Sequence, residues 1–203
     1  MTLETWLAFC ATETVLCFIP GPAVLFVVSL ALARGARSGI GATLGILLAN
    51  AFYFALSATG VAAAIVASNG LFTALRWLGT GYLLWLGLRM LLSRAEPLAT
   101  AAPVPVQRSL LRGVVVQGAN PKALLFFVAL LPQFINPAGS VGLQILVLGV
   151  SSVVIEFFVL LLYVVLAVRA RQVAGTRFAG PLERVGGGLL LAAGARLALV
   201  RSH

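Results

Sequence analysis

Three charged side chains stand inside long apolar segments of this sequence: Glu13, Lys122 and Glu156. Glu156 lies within the apolar run Val153–Phe158, and such surroundings drive an unpaired carboxylate towards its neutral form. A group of this kind can carry a proton or balance an amine, unless it is a structural partner of Lys122 or of a backbone donor. Glu13 could also relay protons or bind an amine, or it could lie shallow enough to meet only water or lipid head groups. We predict proton coupling at Glu156 first and at Glu13 second.

Lys122 belongs to one of two proline interruptions, Pro20-Gly21-Pro22 and Asn120-Pro121-Lys122, each near the centre of an apolar segment. Proline cannot donate a backbone hydrogen bond, so a helix should stop at each interruption and leave carbonyls free in the preceding turn. The Lys122 ammonium could bind those carbonyls, pair with Glu156 or meet a substrate carboxylate. Freed backbone at mid-membrane depth is tolerated where it lines a protected cavity, and paired breaks mark a transporter's binding site. For the first interruption the alternative is a simple kink without a ligand.

Two asparagines accompany these groups. Asn120 suits the N-cap of a helix that restarts at Pro121, and a purely structural cap is as good an interpretation as contact with a ligand. Asn50 lies near the centre of another apolar segment, where an interhelical hydrogen bond is its simplest explanation. The predicted substrate site combines these asparagines with the two interruptions: Pro20, Gly21, Pro22, Asn50, Asn120, Pro121 and Lys122.

The composition indicates whether these groups belong to a soluble protein or to a membrane protein. The chain has 203 residues, of which 61% are hydrophobic and 9% charged, and its mean hydropathy is +1.09. These values exclude an ordinary soluble domain, and about 20 consecutive apolar residues suffice to cross a bilayer as a helix. Six such spans are predicted, over Trp6–Leu32, Gly39–Ala67, Leu71–Leu92, Gly113–Leu131, Val141–Val168 and Leu182–Val200. We therefore expect an all-α integral membrane protein with a single transmembrane domain, residues 1–203.

The net charge of +9 follows the expected membrane topology rather than a nucleic-acid surface. Ten arginines lie in or beside the connections that join spans one and two, three and four, and five and six, against three on the opposite side. By the positive-inside rule we expect both termini of this multi-pass protein to be extracytoplasmic. The basic connections can touch anionic lipid head groups, so membrane lipid is an expected partner and nucleic acid is not.

The chain also shows a weak internal symmetry. The connection at residues 93–108, expected to be cytoplasmic, contains prolines among alanines and separates three spans in residues 1–92 from three in residues 109–203. The motif Pro22–Phe26 in span one resembles Pro121–Phe126 in span four, and glycines and an arginine recur at equal offsets in spans three and six. Chance likeness of glycine-rich apolar helices is the alternative. Because three spans per half place the halves in opposite senses, we predict two inverted three-helix repeats with helices 1 and 4 broken at proline.

Other residue types narrow the chemistry. Gly39, Gly41 and Gly45 have the spacing that lets helices approach closely. There is no aspartate and the one histidine is terminal, so a metal centre or a Ser-His-Asp site lacks its parts, and we expect neither a cofactor nor an enzyme. A six-span membrane redox carrier needs a cysteine in each half, whereas Cys10 and Cys17 share span one. A non-transporting membrane subunit is the other alternative, and it leaves Glu156 unexplained.

Several motifs in this order make the chain resemble the LysE/RhtB family of amino-acid exporters. They are Pro20-Gly21-Pro22, Gly81-Tyr82-Leu83-Leu84-Trp85-Leu86-Gly87, Asn120-Pro121-Lys122-Ala123 and Leu131-Pro132-Gln133-Phe134, spread over nearly the whole length. The resemblance implies a protein of the bacterial inner membrane that exports amino acids or related metabolites from the bacterial cytoplasm, driven by proton antiport. The partners are then a small-molecule substrate and protons, and a homodimer is one of the assemblies left open.

The chain departs from the family pattern at two positions. Many members carry Asp or Asn where this chain has Ala23, and an acidic residue near the position of Asn50. Either change could alter substrate choice or move the proton step to Glu156 or Glu13. We expect the substrate at the midplane between the two broken helices, exposed to either side in turn by rocking of the two repeats.

Overall fold

In this computed structural model residues 1–59 and 105–174 are described throughout, together with the helical positions 77, 81, 84, 85, 88, 92, 188 and 191. Every element with described bounds is helical, and no strand occurs among the described residues. The elements are α1 (Leu3–Phe18), α2 (Pro22–Arg34), α3 (Ala36–Ala58), α4 (Val106–Gly118), α5 (Pro121–Leu125), a π-helical turn (Phe126–Leu130), a 3₁₀ turn (Leu131–Phe134) and α6 (Val141–Ala174).

Three of the predicted spans correspond to long helical segments. By length and composition α3 and α6 can each cross a membrane, and α1 with α2 forms a third candidate span that is bent by 52°. Span four is divided among α4, α5 and the two short turns. Spans three and six and most of the predicted connection lie outside the continuously described residues. The prediction of an all-helical protein with membrane-spanning helices is confirmed for the described part of the chain.

The helix bounds differ from those predicted by hydropathy. α4 begins at Val106 instead of Gly113, and α6 ends at Ala174 instead of Val168, while α3 ends at Ala58 and the predicted residues 60–67 of span two lie outside the described residues. Hydropathy marks only the apolar part of a helix, whereas the helix itself can extend into polar residues as long as its backbone hydrogen bonds continue. α4 thus begins directly after Pro105, and α6 continues through Arg169 and Arg171, which are good helix formers.

One end of the molecule, here the arginine end, collects basic side chains. Gly35 joins α2 directly to α3 with a φ of +84°, which glycine adopts without strain. Arg34 closes α2, and Arg37 lies in the first turn of α3. A Cβ on Gly35 would lie 3.2 Å from Arg171 Nη1, so the last turn of α6 reaches the same end.

Small residues let α3 and α4 touch backbone to backbone. A Cβ on Gly45 would lie 2.0 Å from the carbonyl oxygen of Leu110, and one on Gly113 would lie 2.3 Å from that of Ala42. Gly41 meets Ser109 in the same interface, at 3.0 Å between Cβ positions. The packing role predicted for Gly41 and Gly45 is therefore confirmed, and this close crossing sets the position of α4 relative to α3.

The described residues form two separate apolar cores, which follow each other along α3 and α6. The core near the arginine end, here the arginine-side core, contains Ala23, Val24, Phe26, Val27, Ala31, Leu32, Ala42, Ile46, Val116, Leu160, Val164 and Ala167. The other, here the aromatic core, contains Phe9, Phe54, Phe127, Leu131, Ile145 and Leu148. Both α3 and α6 run through the two cores in turn. The buried Asn50 lies on α3 between the residues of the two cores, and the buried Glu156 has the same position on α6.

Candidate functional site

The first proline interruption removes the donor four residues on from two carbonyls, of which that of Leu16 keeps a hydrogen bond from the Ile19 amide at 3.2 Å. In a continuous helix the amide of residue 20 would bind the Leu16 carbonyl and that of residue 22 the Phe18 carbonyl, but Pro20 and Pro22 have no N–H. α1 accordingly ends at Phe18, and α2 restarts at Pro22 with Gly21 as its N-cap. No side chain caps the start of α2.

Side chains from distant segments bind three carbonyls at the end of α1, those of Leu16, Phe18 and Ile19. The Lys122 ammonium donates to the Leu16 carbonyl and, at 3.0 Å, to that of Ile19. The Tyr163 hydroxyl on α6 donates to the Phe18 carbonyl at 2.9 Å. The sequence left three kinds of partner open for the Lys122 ammonium: carbonyls of its own interruption, Glu156 or a substrate carboxylate. Its carbonyl partners instead belong to the other interruption, and among the described contacts it forms no hydrogen bond with Glu156.

At the second interruption, too, side chains bind the backbone groups that the break in the helix frees. α4 ends at Gly118, and Asn120 caps α5 by accepting a hydrogen bond from the Lys122 amide at 3.1 Å. The Gly118 carbonyl, which a continuous helix would pair with that amide, accepts from the Tyr53 hydroxyl on α3 at 2.8 Å. The structural cap predicted for Asn120 is therefore present.

The two interruptions meet through Lys122. A Cβ on Gly21 would lie 3.6 Å from Lys122 Cδ, so the aliphatic part of the lysine passes over the glycine between the two prolines. Its amide begins α5 while its ammonium holds the end of α1. A single residue thus ties the end of one broken helix to the start of the other.

A continuous chain of buried side chains runs from Lys122 to Glu156. The Asn120 side-chain amide donates to Gln117 Oε1 at 2.9 Å, and Gln117 Nε2 donates to Asn50 Oδ1 at 2.7 Å. Asn50 Nδ2 in turn donates to Glu156 Oε2. All four side chains are buried, with exposed fractions of 3% to 8%. The interhelical bonding expected for Asn50 is present, and it links α3 to both α4 and α6.

Glu13 of α1 contacts α6 one helical turn before Glu156. Glu13 Oε1 accepts a hydrogen bond from Ser152 Oγ at 2.5 Å and a longer one from Cys17 Sγ at 3.8 Å. Ser152 precedes Glu156 by four residues, so the two residues lie on the same face of α6, and Glu13 packs against that face. Both carboxylates interact electrostatically with the Lys122 ammonium. Glu13 is 6% exposed, which excludes the alternative of a shallow carboxylate that meets only water or head groups.

The structure brings the predicted site residues into one region and adds four that the sequence analysis missed. Gln117, Ser152, Tyr53 and Tyr163 bind the two carboxylate networks or the freed carbonyls. Gln117 could have been found, because it is a polar residue in a predicted span and stands three positions before Asn120. The tyrosines give no comparable signal, since tyrosine is common at membrane interfaces and in cores alike.

We expect that Tyr163→Phe lowers the free energy of unfolding by about 1 kcal/mol, because the Phe18 carbonyl loses the donor that replaces the absent amide of Pro22. Thermal unfolding of the detergent-solubilised protein measures this. Thr12→Val is the matched control: Thr12 Oγ1 also donates to a carbonyl, that of Ala8 at 2.8 Å, but the α1 backbone serves that carbonyl as well. Equal effects of the two substitutions would contradict the special role of Tyr163.

Comparison with known proteins identifies the family of this chain. Residues 14–201 match the family described as LysE type translocator. The chain is 31% identical over 204 residues to the homoserine/homoserine lactone efflux protein of Salmonella typhimurium, covering 99% of each. It is 33% identical over 192 residues to the leucine efflux protein of Salmonella choleraesuis, covering 91% of this chain and 90% of the relative. It is 32% identical over 205 residues to an uncharacterized membrane protein of Vibrio cholerae, covering 100% of both.

The chain therefore belongs to the LysE family of translocators, and the resemblance seen in its motifs is confirmed. It is a bacterial membrane protein of the transporter class. No solved structure matches the chain.

Proposed function

We propose that the protein is an inner-membrane secondary transporter that exports amino acids or related metabolites in exchange for protons. The observation that carries the proposal is the meeting of the two broken helices at Lys122, beside the buried carboxylates of Glu13 and Glu156. Relatives of similar length are named for the efflux of leucine and of homoserine and its lactone, which supports the same class of substrate here.

The chemistry of the site suits a zwitterion. The carbonyls of Leu16 and Ile19 already hold one ammonium, that of Lys122. An amino acid can take its place by presenting its own ammonium to the same carbonyls, and the displaced Lys122 can then pair with the substrate carboxylate. The amides in the first turn of α2, which lack a side-chain cap, provide a further favourable field for that carboxylate. Lys122 is in this view an internal occupant of the substrate site.

The position of the polar site between the two apolar cores supports alternating access. The polar groups lie between the arginine-side core and the aromatic core, so that each core can act as a seal on one side of the substrate. In the aromatic core Phe9 packs edge-on against Phe134 at 5.3 Å, and Phe54 against Phe127 at 4.8 Å, both between ring centroids. Rocking of the two halves would open one core while the other stays closed.

The contacts at the two interruptions support the inverted repeat. Each interruption has a freed carbonyl that accepts from a tyrosine of the other half: Tyr53 serves Gly118, and Tyr163 serves Phe18. Span two therefore supports the break in span four, and span five supports the break in span one. Such exchange is expected of two halves related by an axis in the membrane plane.

The arginine end supports the proposed orientation. Arg34, Arg37 and Arg171 lie where α2, α3 and α6 have their cytoplasmic ends under the positive-inside rule. In that orientation the N-terminus lies outside the cytoplasm, the arginine-side core faces the cytoplasm, and the aromatic core faces outwards.

Purified protein in proteoliposomes should catalyse exchange of radiolabelled leucine or homoserine, and we expect Lys122→Met to weaken substrate affinity about 10- to 100-fold. This is the effect of losing a hydrogen bond to a charged group. Lys122→Arg keeps the charge and is the matched control, and size-exclusion chromatography verifies that each variant is folded. Exchange by Lys122→Met with the wild-type affinity would contradict the role of Lys122, and wild-type protein that exchanges no amino acid would contradict the export proposal itself.

A further inference from the structure

The hydrogen-bond chain between Lys122 and Glu156 has a single direction. The Lys122 amide donates to Asn120, Asn120 to Gln117, Gln117 to Asn50, and Asn50 to Glu156. Each of the three side-chain amides accepts with its oxygen on the Lys122 side and donates with its nitrogen on the Glu156 side. Such head-to-tail chains polarise one another, and this one presents an N–H to the carboxylate at its end.

The same side chains can form the chain in the opposite direction. A carboxylate only accepts, whereas a protonated carboxylic acid also has an O–H to donate. When a proton binds Glu156, its O–H can donate to Asn50 Oδ1 once that amide has turned over. Asn50 then donates to Gln117, and Gln117 to Asn120, with no change in heavy-atom positions beyond exchange of each amide's O and N. No covalent bond changes except the O–H formed on Glu156.

Reversal removes the cap at the second interruption. In the reversed chain Asn120 presents its NH₂ group to the Lys122 amide, so that a donor faces a donor. The Lys122 amide then loses its partner, since the Gly118 carbonyl that would otherwise receive it is bound by Tyr53. α5 has only five residues and depends on that cap for its start.

We propose that Gln117 is a positioning residue that couples the proton on Glu156 to the second interruption, by reversal of the amide chain Asn50–Gln117–Asn120. The inference rests on the proposed function, because it takes Glu156 as the site that binds and releases the proton. Among the residues that the structure describes, the charged or titratable groups that face Glu156 are Glu13 and Cys17 from α1 and Lys122 from α5, while α3 contributes the neutral Asn50. In this view protonation frees the start of α5, and with it the lysine that holds the end of α1.

Amide hydrogen exchange of Lys122 tests this reversal without any measurement of transport. The protein is reconstituted in lipid nanodiscs, and exchange at the Lys122 amide is followed by mass spectrometry across a pH series, with correction for the intrinsic exchange rate. We expect protection of this amide to fall about tenfold from high to low pH in the wild type, the effect of one hydrogen bond. The Thr5 amide, capped by Thr2 Oγ1 at 3.2 Å, is the internal control and should keep its protection.

Two substitutions locate the cause. Gln117→Met keeps the length of the side chain but removes both amide groups, so the pH dependence at Lys122 should disappear. Glu156→Gln leaves the whole chain in place and removes only the proton-binding group, so it should give the same loss even if Gln117→Met does not fold. Wild-type protection that does not change with pH, or pH dependence that survives in either variant, would overturn the proposal.

Transport measurements separate this inference from the proposed function. If wild-type proteoliposomes exchange amino acids but do not respond to a pH gradient, proton antiport is wrong, whatever hydrogen exchange shows. If a pH gradient drives transport and Gln117→Met keeps the wild-type ratio of gradient-driven accumulation to exchange at equal pH, the coupling role of Gln117 is wrong while the transporter stands.

Discussion

Replacing Glu156 by glutamine is expected to remove the pH-gradient-driven part of transport while substrate exchange at equal pH continues. Glutamine has the shape of glutamic acid and its carbonyl can still accept from Asn50, so the packing of α3 against α6 is kept. What it lacks is the ability to gain and lose a proton. Accumulation of labelled leucine or homoserine in proteoliposomes, with and without an imposed pH gradient, measures the two components. The gradient-driven component should fall to the level seen without a gradient.

Two further carboxylates act as comparisons for this experiment. Glu4 lies exposed in the first turn of α1, far along the helix from the site, so Glu4→Gln should behave as the wild type. Glu13→Gln distinguishes the second candidate: a larger loss there than in Glu156→Gln would move the proton step to Glu13 and its partner Ser152. Full gradient-driven accumulation by Glu156→Gln would show that this carboxylate does not carry the coupled proton.

The largest loss of stability is expected from Gly45→Ala, because the added Cβ would lie 2.0 Å from the carbonyl oxygen of Leu110 and 2.9 Å from the amide nitrogen of Val114. Both atoms belong to the α4 backbone and cannot turn aside as a side chain would. The two helices must separate, which disrupts the interface that positions Gln117 and Asn50 against each other. We expect a loss of about 3 kcal/mol or more, the upper range for overpacking in a tight core.

The measurement is the thermal midpoint of the purified protein, together with the fraction that elutes as a single species in detergent. Gly142→Ala is the matched control, since a Cβ there meets no atom within 4 Å and the substitution favours the α6 helix. It should leave the midpoint unchanged or raise it. Wild-type behaviour of Gly45→Ala would mean that α3 and α4 do not touch at this glycine.

Much of the architecture could be read from residue types alone. Apolar segments of sufficient length predict membrane helices, because the bilayer leaves backbone groups no partners except those in a helix. The prolines at 20, 22 and 121 mark where α1 and α4 end, because proline removes the donor that continuation needs. Glu13, Lys122 and Glu156 stood out for the same reason: charge at membrane depth is costly, so it is rarely placed there without use.

The partners of those groups could not be read in the same way. The sequence left Lys122 with three kinds of partner, and only the fold shows that it binds the carbonyls of the other interruption. Gln117 became part of the site because the glycine contacts between α3 and α4 bring it to Asn50. The phenols of Tyr53 and Tyr163 reach freed carbonyls 65 and 145 residues away along the chain.

The sequence by itself therefore determined which groups need partners at the centre of this protein: two carboxylates, one ammonium and the carbonyls from which three prolines remove the donor four residues on. Those quantities are local, since they depend on each residue and on its neighbours within one helical turn. Only the tertiary structure decided how the groups are paired, because hydrogen bonds act over about 3 Å and the partners come from different helices. The pairing joins the two interruptions and connects them to Glu156, and on that connection the proposed coupling of proton and substrate depends.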